Sequence, residues 1–242
     1  RDLISGYKKS WIGWIWIFIS PIIGIVSWVF MNSTGILNPG DVGIPYPAYV
    51  LLSSSVWGLF MGFYGSAAGT LGAGGEFINQ IKYPHEVLLV KQVALHITNF
   101  LITFLINIIV LLLFGVTPSP LILLFPFLAL PLFLLGSAIG LVISVISIVA
   151  SDLTNIFNIL FGFVFYITPV IYSDNIESEL LRTVIKFNPL TYLVGGVRDA
   201  IIYGRIDHLD YFLIFSFISL ILFLLSLRLF YVAEDRVVEK MI

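Results

Sequence analysis

The 242-residue sequence contains no cysteine, which excludes disulfides, thiolate metal sites, cysteine nucleophiles and iron–sulfur clusters. Charge is scarce: Asp, Glu, Lys and Arg make up 11% of the chain, against about 25% in a typical soluble domain. The net charge is −2, so there is no basic face for nucleic acid and no acidic tail. The glycine cluster nearest to a nucleotide loop, GAGGE at 72–76, lacks the Lys and Ser/Thr that hold phosphate and Mg²⁺. The chain is therefore not expected to hydrolyse ATP by itself. The three histidines, at 85, 96 and 208, are far apart and fit no metal-ligand spacing, so no metal site is expected.

What is abundant is hydrocarbon, with 59% of residues apolar. A helix needs about 20 apolar residues to cross a hydrocarbon core roughly 30 Å thick. Six stretches approach that length, at about 11–31, 47–70, 88–114, 121–150, 154–171 and 211–231. The expected fold is an all-α, multi-pass membrane protein with six spans in a single domain over 1–242. The chain opens on Arg1 rather than Met, from which we expect further residues upstream. The first run, at 21 residues, is too long for a signal-peptide core of 7 to 15 residues. In the fourth, Pro126 and Pro131 are expected to kink or break the helix.

Positive charge sets the orientation. With the N-terminus inside, eight of the twelve Lys and Arg residues fall on the inner side, and the loops at 32–46 and 115–120 carry none. Both termini are therefore expected in the cytoplasm, with a cytoplasmic connection at 71–87 and a long external connection at 172–210. None of the spans holds a buried carboxylate, which an ion-coupled carrier would need. Lys91, His96 and Arg228 lie within spans near the inner interface, where anchoring or an interhelical hydrogen bond explains them.

The external connection reads as two short helices. Ser173 or Asp174 can cap the first, whose Ile176, Leu180, Val184 and Phe187 share one face. The second starts at Asn188 as N-cap and Pro189 as first helical residue, with Gly204 as the stop. Neither can span a bilayer, so each lies on the surface or dips in and returns. Gly195 and Gly196 weaken the second at its middle, where a bend or a close backbone contact is expected.

The second span is the most patterned. Gly58, Gly62, Gly65 and Gly69 form a stripe with two GxxxG spacings, expected to face a packed helix. Tyr49, Ser53, Trp57, Phe60 and Tyr64 lie roughly opposite, and Phe157, Phe161 and Phe165 repeat the theme in the fifth span. Two readings stand: lipid-facing aromatics and interfacial belts, or an aromatic-lined passage whose faces bind sugar rings and whose hydroxyls offer hydrogen bonds. On the cytoplasmic side, GEFINQIKYPHE at 75–86 places Phe77, Ile78 and Ile81 against apolar surface. It leaves Glu76, Gln80 and Lys82 for water or a soluble motor.

Together, the opening RDLISGYKKSWIGWIWIFISPI at 1–22 and the late NPLTYLVGGVR at 188–198 resemble the membrane subunit of type-2 ABC exporters for bacterial polysaccharides. The closest class is the permease for lipid-linked O-antigen or teichoic acid. The resemblance implies a homodimer bound to two cytoplasmic ABC ATPase subunits, which would carry the ATP and Mg²⁺, in a bacterial inner membrane. It implies an amphipathic helix ending at residues 1–10. It also makes the two external helices re-entrant, with Asn188 and Pro189 starting the helix that enters from outside and Arg198 near the exit; a salt bridge from Arg198 to Asp199 or Asp207 is the alternative role. An exporter of drugs or lipids fits the same pattern. A membrane-embedded lipid-modifying enzyme would need a convergent nucleophile, acid–base pair or metal cluster, which the sequence does not offer.

Overall fold

The computed structural model describes residues 15–70, 85–147, 150, 152–174 and 178–241, and these contain helices and no strands. We number the helices α1 (Ile15–Ser33), α2 (Tyr46–Ala68), α3 (His85–Leu113), α4 (Phe125–Ser147), α5 (Asp152–Tyr166), α6 (Glu179–Phe187), α7 (Pro189–Tyr203) and α8 (Leu209–Met241). Four of the six expected spans meet the length and hydropathy of a membrane helix: Tyr46–Ala68, His96–Leu113, Pro120–Ser147 and Leu209–Ala233. Shorter apolar helical stretches, Ile23–Ser33 and Asp152–Tyr166, stand for the other two. The fifth span stops early: α5 ends at Tyr166, and Ile167 to Ile171 run on through turns.

Proline shapes α4 in two different ways. A 3-10 turn over Pro120–Leu124, capped by Ser119 Oγ, precedes the α-helix. Pro126 then sits in the first turn of α4, where its missing N–H costs nothing, and Pro131 lies inside. The α-helix thus runs through both prolines without the expected break, and the change of helix type falls before Phe125 instead.

At the centre, α4 packs between α2 and α8, and α3 lies against another side of α2. The closest approach is made by Gly136 and Gly140. A Cβ at Gly136 would come 2.9 Å from the Phe60 carbonyl, and one at Gly140 would meet the Tyr64 carbonyl and lie 2.6 Å from Ala67 Cβ. Two glycines four apart thus let the α4 backbone rest on the α2 backbone. This GxxxG was not singled out in the sequence, whereas the stripe on α2 behaves differently from expectation. Gly62 packs under the ring of His96 on α3, whose Nε2 lies 3.2 Å from the Leu59 carbonyl, but Gly58 and Gly65 are exposed and have no neighbour. The interhelical hydrogen bond expected of His96 is present.

Burial divides the bundle. In α2 and α4, 61% and 67% of the spanning windows are buried, against 18% in α3 and 17% in α8. The outer helices expose Leu101, Leu105, Leu213 and Leu224, apolar surface that hydrocarbon covers in a bilayer. The chain is a multi-pass membrane protein.

Candidate functional site

The stretch NPLTYLVGGVR builds α7 as its residues require. The Asn188 side chain caps the helix, its Oδ1 accepting from the Leu190 N–H at 3.0 Å, while its Nδ2 donates to Thr168 Oγ1 at 2.7 Å. Gly204 ends the helix at φ +68, a conformation glycine adopts without strain. The 15 residues between give a rise of roughly 22 Å, short of a membrane crossing. Residues 190–202 are nonetheless buried throughout, so α7 is packed into the bundle by the helices around it. Gly196 allows this: a Cβ there would fall 2.5 Å from the ring of Phe212 on α8. The expected close backbone contact is at Gly196.

The preceding helix differs from expectation. Ser178 caps α6, rather than Ser173 or Asp174, and Ile185 is its buried residue. Leu180 and Phe187 are 78% and 77% exposed. Ile176 lies outside the described residues.

Arg198 is the polar centre of this end of the bundle. It is 6% exposed, and burying a guanidinium without partners is costly. Its partners are in place: Nε donates to Asp199 Oδ1 at 2.8 Å, and Nη1 donates to Tyr49 Oη at 2.6 Å and to the Pro169 carbonyl at 3.0 Å. The guanidinium carbon also lies 4.7 Å from the centre of the Tyr49 ring. Tyr49 Oη in turn donates to the Tyr172 carbonyl at 2.9 Å. Of the two acids that were candidates for a salt bridge, Asp199 makes it and Asp207 pairs with Arg205. Burial pushes the Asp199 carboxyl above its ordinary value, with Arg198 pulling the other way.

One set of interactions thus joins α7, the start of α2 and the turns after α5. Sequence reading had placed Tyr49 with the other aromatics and missed its bond to Arg198, since nothing local links residues 149 apart. Above it opens a cleft of about 250 Å³, lined by Asp41, Asp174, Asp199, Tyr203, Arg205 and Asp207 as well as Tyr49 and Arg198. Asp41 and Tyr203 carried no signal in the sequence beyond their position in a loop or at a helix end, and Asp174 was legible as a candidate helix cap alone.

The remaining aromatics come together deeper in the bundle. Phe161 of α5 lies edge-on to Phe60 at 5.4 Å and against Tyr64 at 4.7 Å, and Phe165 meets Trp57 at 5.5 Å. Phe157 packs against the same core. All the α2 members are buried, with Trp57 at 8% and Phe60 at 0% exposure. Within one chain they form a packed seam between α2 and α5, in which Phe161 is buried and Phe157 and Phe165 are half-buried. Ser53 Oγ and Tyr64 Oη are buried there without a hydrogen-bond partner among the described residues. Glu76, Phe77, Gln80, Ile81 and Lys82, expected to contact an ATPase, lie outside the described residues, as do residues 1–10.

Comparison with known proteins converges on one family. The chain is similar over 99% of its length to O-antigen export system permease proteins RfbA of Klebsiella pneumoniae, at 24% identity over 91% of that protein, and of Myxococcus xanthus, at 21% identity over 92%. A second Klebsiella pneumoniae permease of that name is 23% identical. The model of the ABC-2 type transporter family matches residues 1–202. With the apolar spans described above, this match establishes that the chain belongs to the membrane family of ABC-2 type transporters.

Proposed function

We propose that this chain is the transmembrane subunit of an ATP-driven exporter that moves lipid-linked, O-antigen-like polysaccharide across the bacterial inner membrane. The observation that carries this reading is the end-to-end similarity to permeases named for O-antigen export. Two copies pair and bind two cytoplasmic ABC ATPase subunits, which hold ATP and Mg²⁺. The end of the bundle bearing α7 faces outward, with Asn188, Pro189 and Arg198 at the exit.

The passage forms where the aromatic seam opens. Tyr49, Ser53, Trp57, Phe60 and Tyr64 on α2, with Phe157, Phe161 and Phe165 on α5, then offer ring faces to sugars. The unpartnered hydroxyls of Ser53 and Tyr64 support this, because a buried hydroxyl without a partner is costly unless another state satisfies it. Glu76, Gln80 and Lys82 contact the ATPase, anchored by Phe77 and Ile81.

Deleting the gene in a strain without a substitute permease should abolish surface polysaccharide and trap the lipid-linked polymer inside, with the chain restoring export in trans. Normal surface polysaccharide in that strain, coupled with new sensitivity to drugs or altered lipid content, would instead mark an exporter of drugs or lipids.

A further inference from the structure

The cleft above Arg198 has the properties of a binding site in its own right. Its walls are held from three directions. Tyr203 Oη donates to the Val42 carbonyl at 2.6 Å, the Ser173 N–H donates to the Pro39 carbonyl at 2.7 Å, and Asp41 Oδ1 accepts from the Gly43 N–H at 2.9 Å. Its floor is the buried Arg198–Tyr49 pair. Its rim is accessible: the side chains of Arg205 and Asp207 are 74% and 45% exposed and joined through Arg205 Nε at 2.8 Å. A guanidinium carries five N–H donors, of which that bond uses one.

Three observations define what the cleft would accept. Its four carboxylates outnumber its two guanidiniums, so an anionic ligand is repelled. No group of three acids or histidines among the described residues is placed to hold a metal ion, so the carboxylates are acceptors for hydrogen-bond donors. At about 250 Å³, the cleft falls below the roughly 300 Å³ at which pockets for drug-sized ligands begin; it is sized for one ring. Behind it lies a chamber of about 10 Å³ sharing Asp174, Arg198 and Asp199, room for roughly one water. Thr191 Oγ1 lines that chamber, buried and without a hydrogen-bond partner.

We propose that this cleft binds a single uncharged glycosyl residue, separately from the aromatic seam. Adjacent hydroxyls donate to Asp41, Asp174 and Asp207 and accept from Arg205. The inference rests on the polysaccharide reading above, which supplies the substrate class. It places a point at the exit where the polymer is held one sugar at a time after it has passed the seam.

The test is saturation-transfer NMR on the purified, assembled transporter with methyl α-mannoside, methyl α-glucoside and methyl α-rhamnoside as probes and glucuronate as anionic control. At least one neutral glycoside should give a signal that falls fivefold or more in the Arg205→Ala/Asp207→Ala variant, while glucuronate gives none. These two side chains are exposed, where substitutions usually perturb stability little, so the variant should fold; Asp41→Asn gives a second, milder test. Silence from all three glycosides, equal signals in the variant, or a stronger signal from glucuronate would overturn the proposal. Restoration of surface polysaccharide by the wild-type gene is scored in parallel. No glycoside signal from the wild-type transporter while the wild-type gene restores export sinks the cleft alone, whereas failure of export sinks the polysaccharide reading.

Discussion

Two sides of α2 are packed by opposite means. Toward α4, glycines bring backbone against backbone, with a Gly136 Cβ position only 2.9 Å from the Phe60 carbonyl. Toward α5, Trp57, Phe60 and Tyr64 meet Phe161 and Phe165 ring to ring, with centroids 4.7 to 5.5 Å apart. Both are buried, but they differ in what separation would cost. A glycine contact has one geometry, because no side chain can follow the helix if it shifts. Rings can rotate and exchange one aromatic neighbour for another, or for a sugar face, with little change in buried area. The α2–α4 pair is thus suited to move as one body, and the α2–α5 seam to open.

The largest expected effect comes from cutting the polar tie at the end of that seam. Asp199→Ala leaves the Arg198 guanidinium buried beside Tyr49 with its charge uncompensated, and should cost about 3–5 kcal/mol. Asp199→Asn, which keeps an acceptor, should cost less. Thermal unfolding of the purified protein in detergent measures both; equal stability of Asp199→Ala and wild type would mean the ion pair does not hold α7 in place. Next comes the glycine side. Gly140→Val puts branched carbon where the Tyr64 carbonyl and Ala67 already stand and should cost about 3 kcal/mol, the upper end of ordinary overpacking. Survival of a stable protein with Gly136 and Gly140 both changed to Val would break the idea of α2 and α4 as one body.

The ring side should respond in the opposite manner. Replacing Trp57, Phe60 and Tyr64 with Leu one at a time keeps the seam apolar but removes ring volume, so each variant should still fold, with roughly 1–3 kcal/mol lost per site. Export should slow severalfold if the rings serve the cargo. Surface polysaccharide measured against protein abundance separates the two effects. Undiminished export by a variant at normal abundance would leave the aromatics with packing as their sole role.

The sequence made the helices legible where one residue type sufficed. Asn188, Pro189 and Gly204 bounded α7 because cap, first turn and stop each depend on local chemistry. Spans were readable wherever hydropathy persisted, and α5 was overestimated because Ile167, Val170 and Ile171 are apolar yet fold into buried turns around Thr168 and Pro169. Site assembly was less legible. Tyr49 and Arg198 meet across 149 residues, and no periodicity encodes that. The α6 cap was misplaced because Ser173, Asp174 and Ser178 are equally good caps, and which one serves depends on where the chain leaves the core. Glycine spacing misled in a similar way: GxxxG occurs on both α2 and α4, and spacing alone cannot say which one has a helix against it.

That last ambiguity gives the smallest and most discriminating prediction. Gly58 and Gly65 are exposed, with nothing within 4 Å of where a Cβ would stand. In an isolated chain, Gly58→Ala and Gly65→Ala should therefore be neutral or stabilising, by up to about 1 kcal/mol each from helix propensity. The same substitutions at Gly136 should destabilise. If the bare stripe meets another helix in the assembled transporter, the extra methyl groups would oppose that contact, and the fraction of assembled complex would fall while the stability of the single chain rose. Size-exclusion chromatography beside thermal unfolding reads both. Unchanged assembly would show that the α2 stripe faces lipid, leaving the α4 glycines as the pair that sets helix packing around α2.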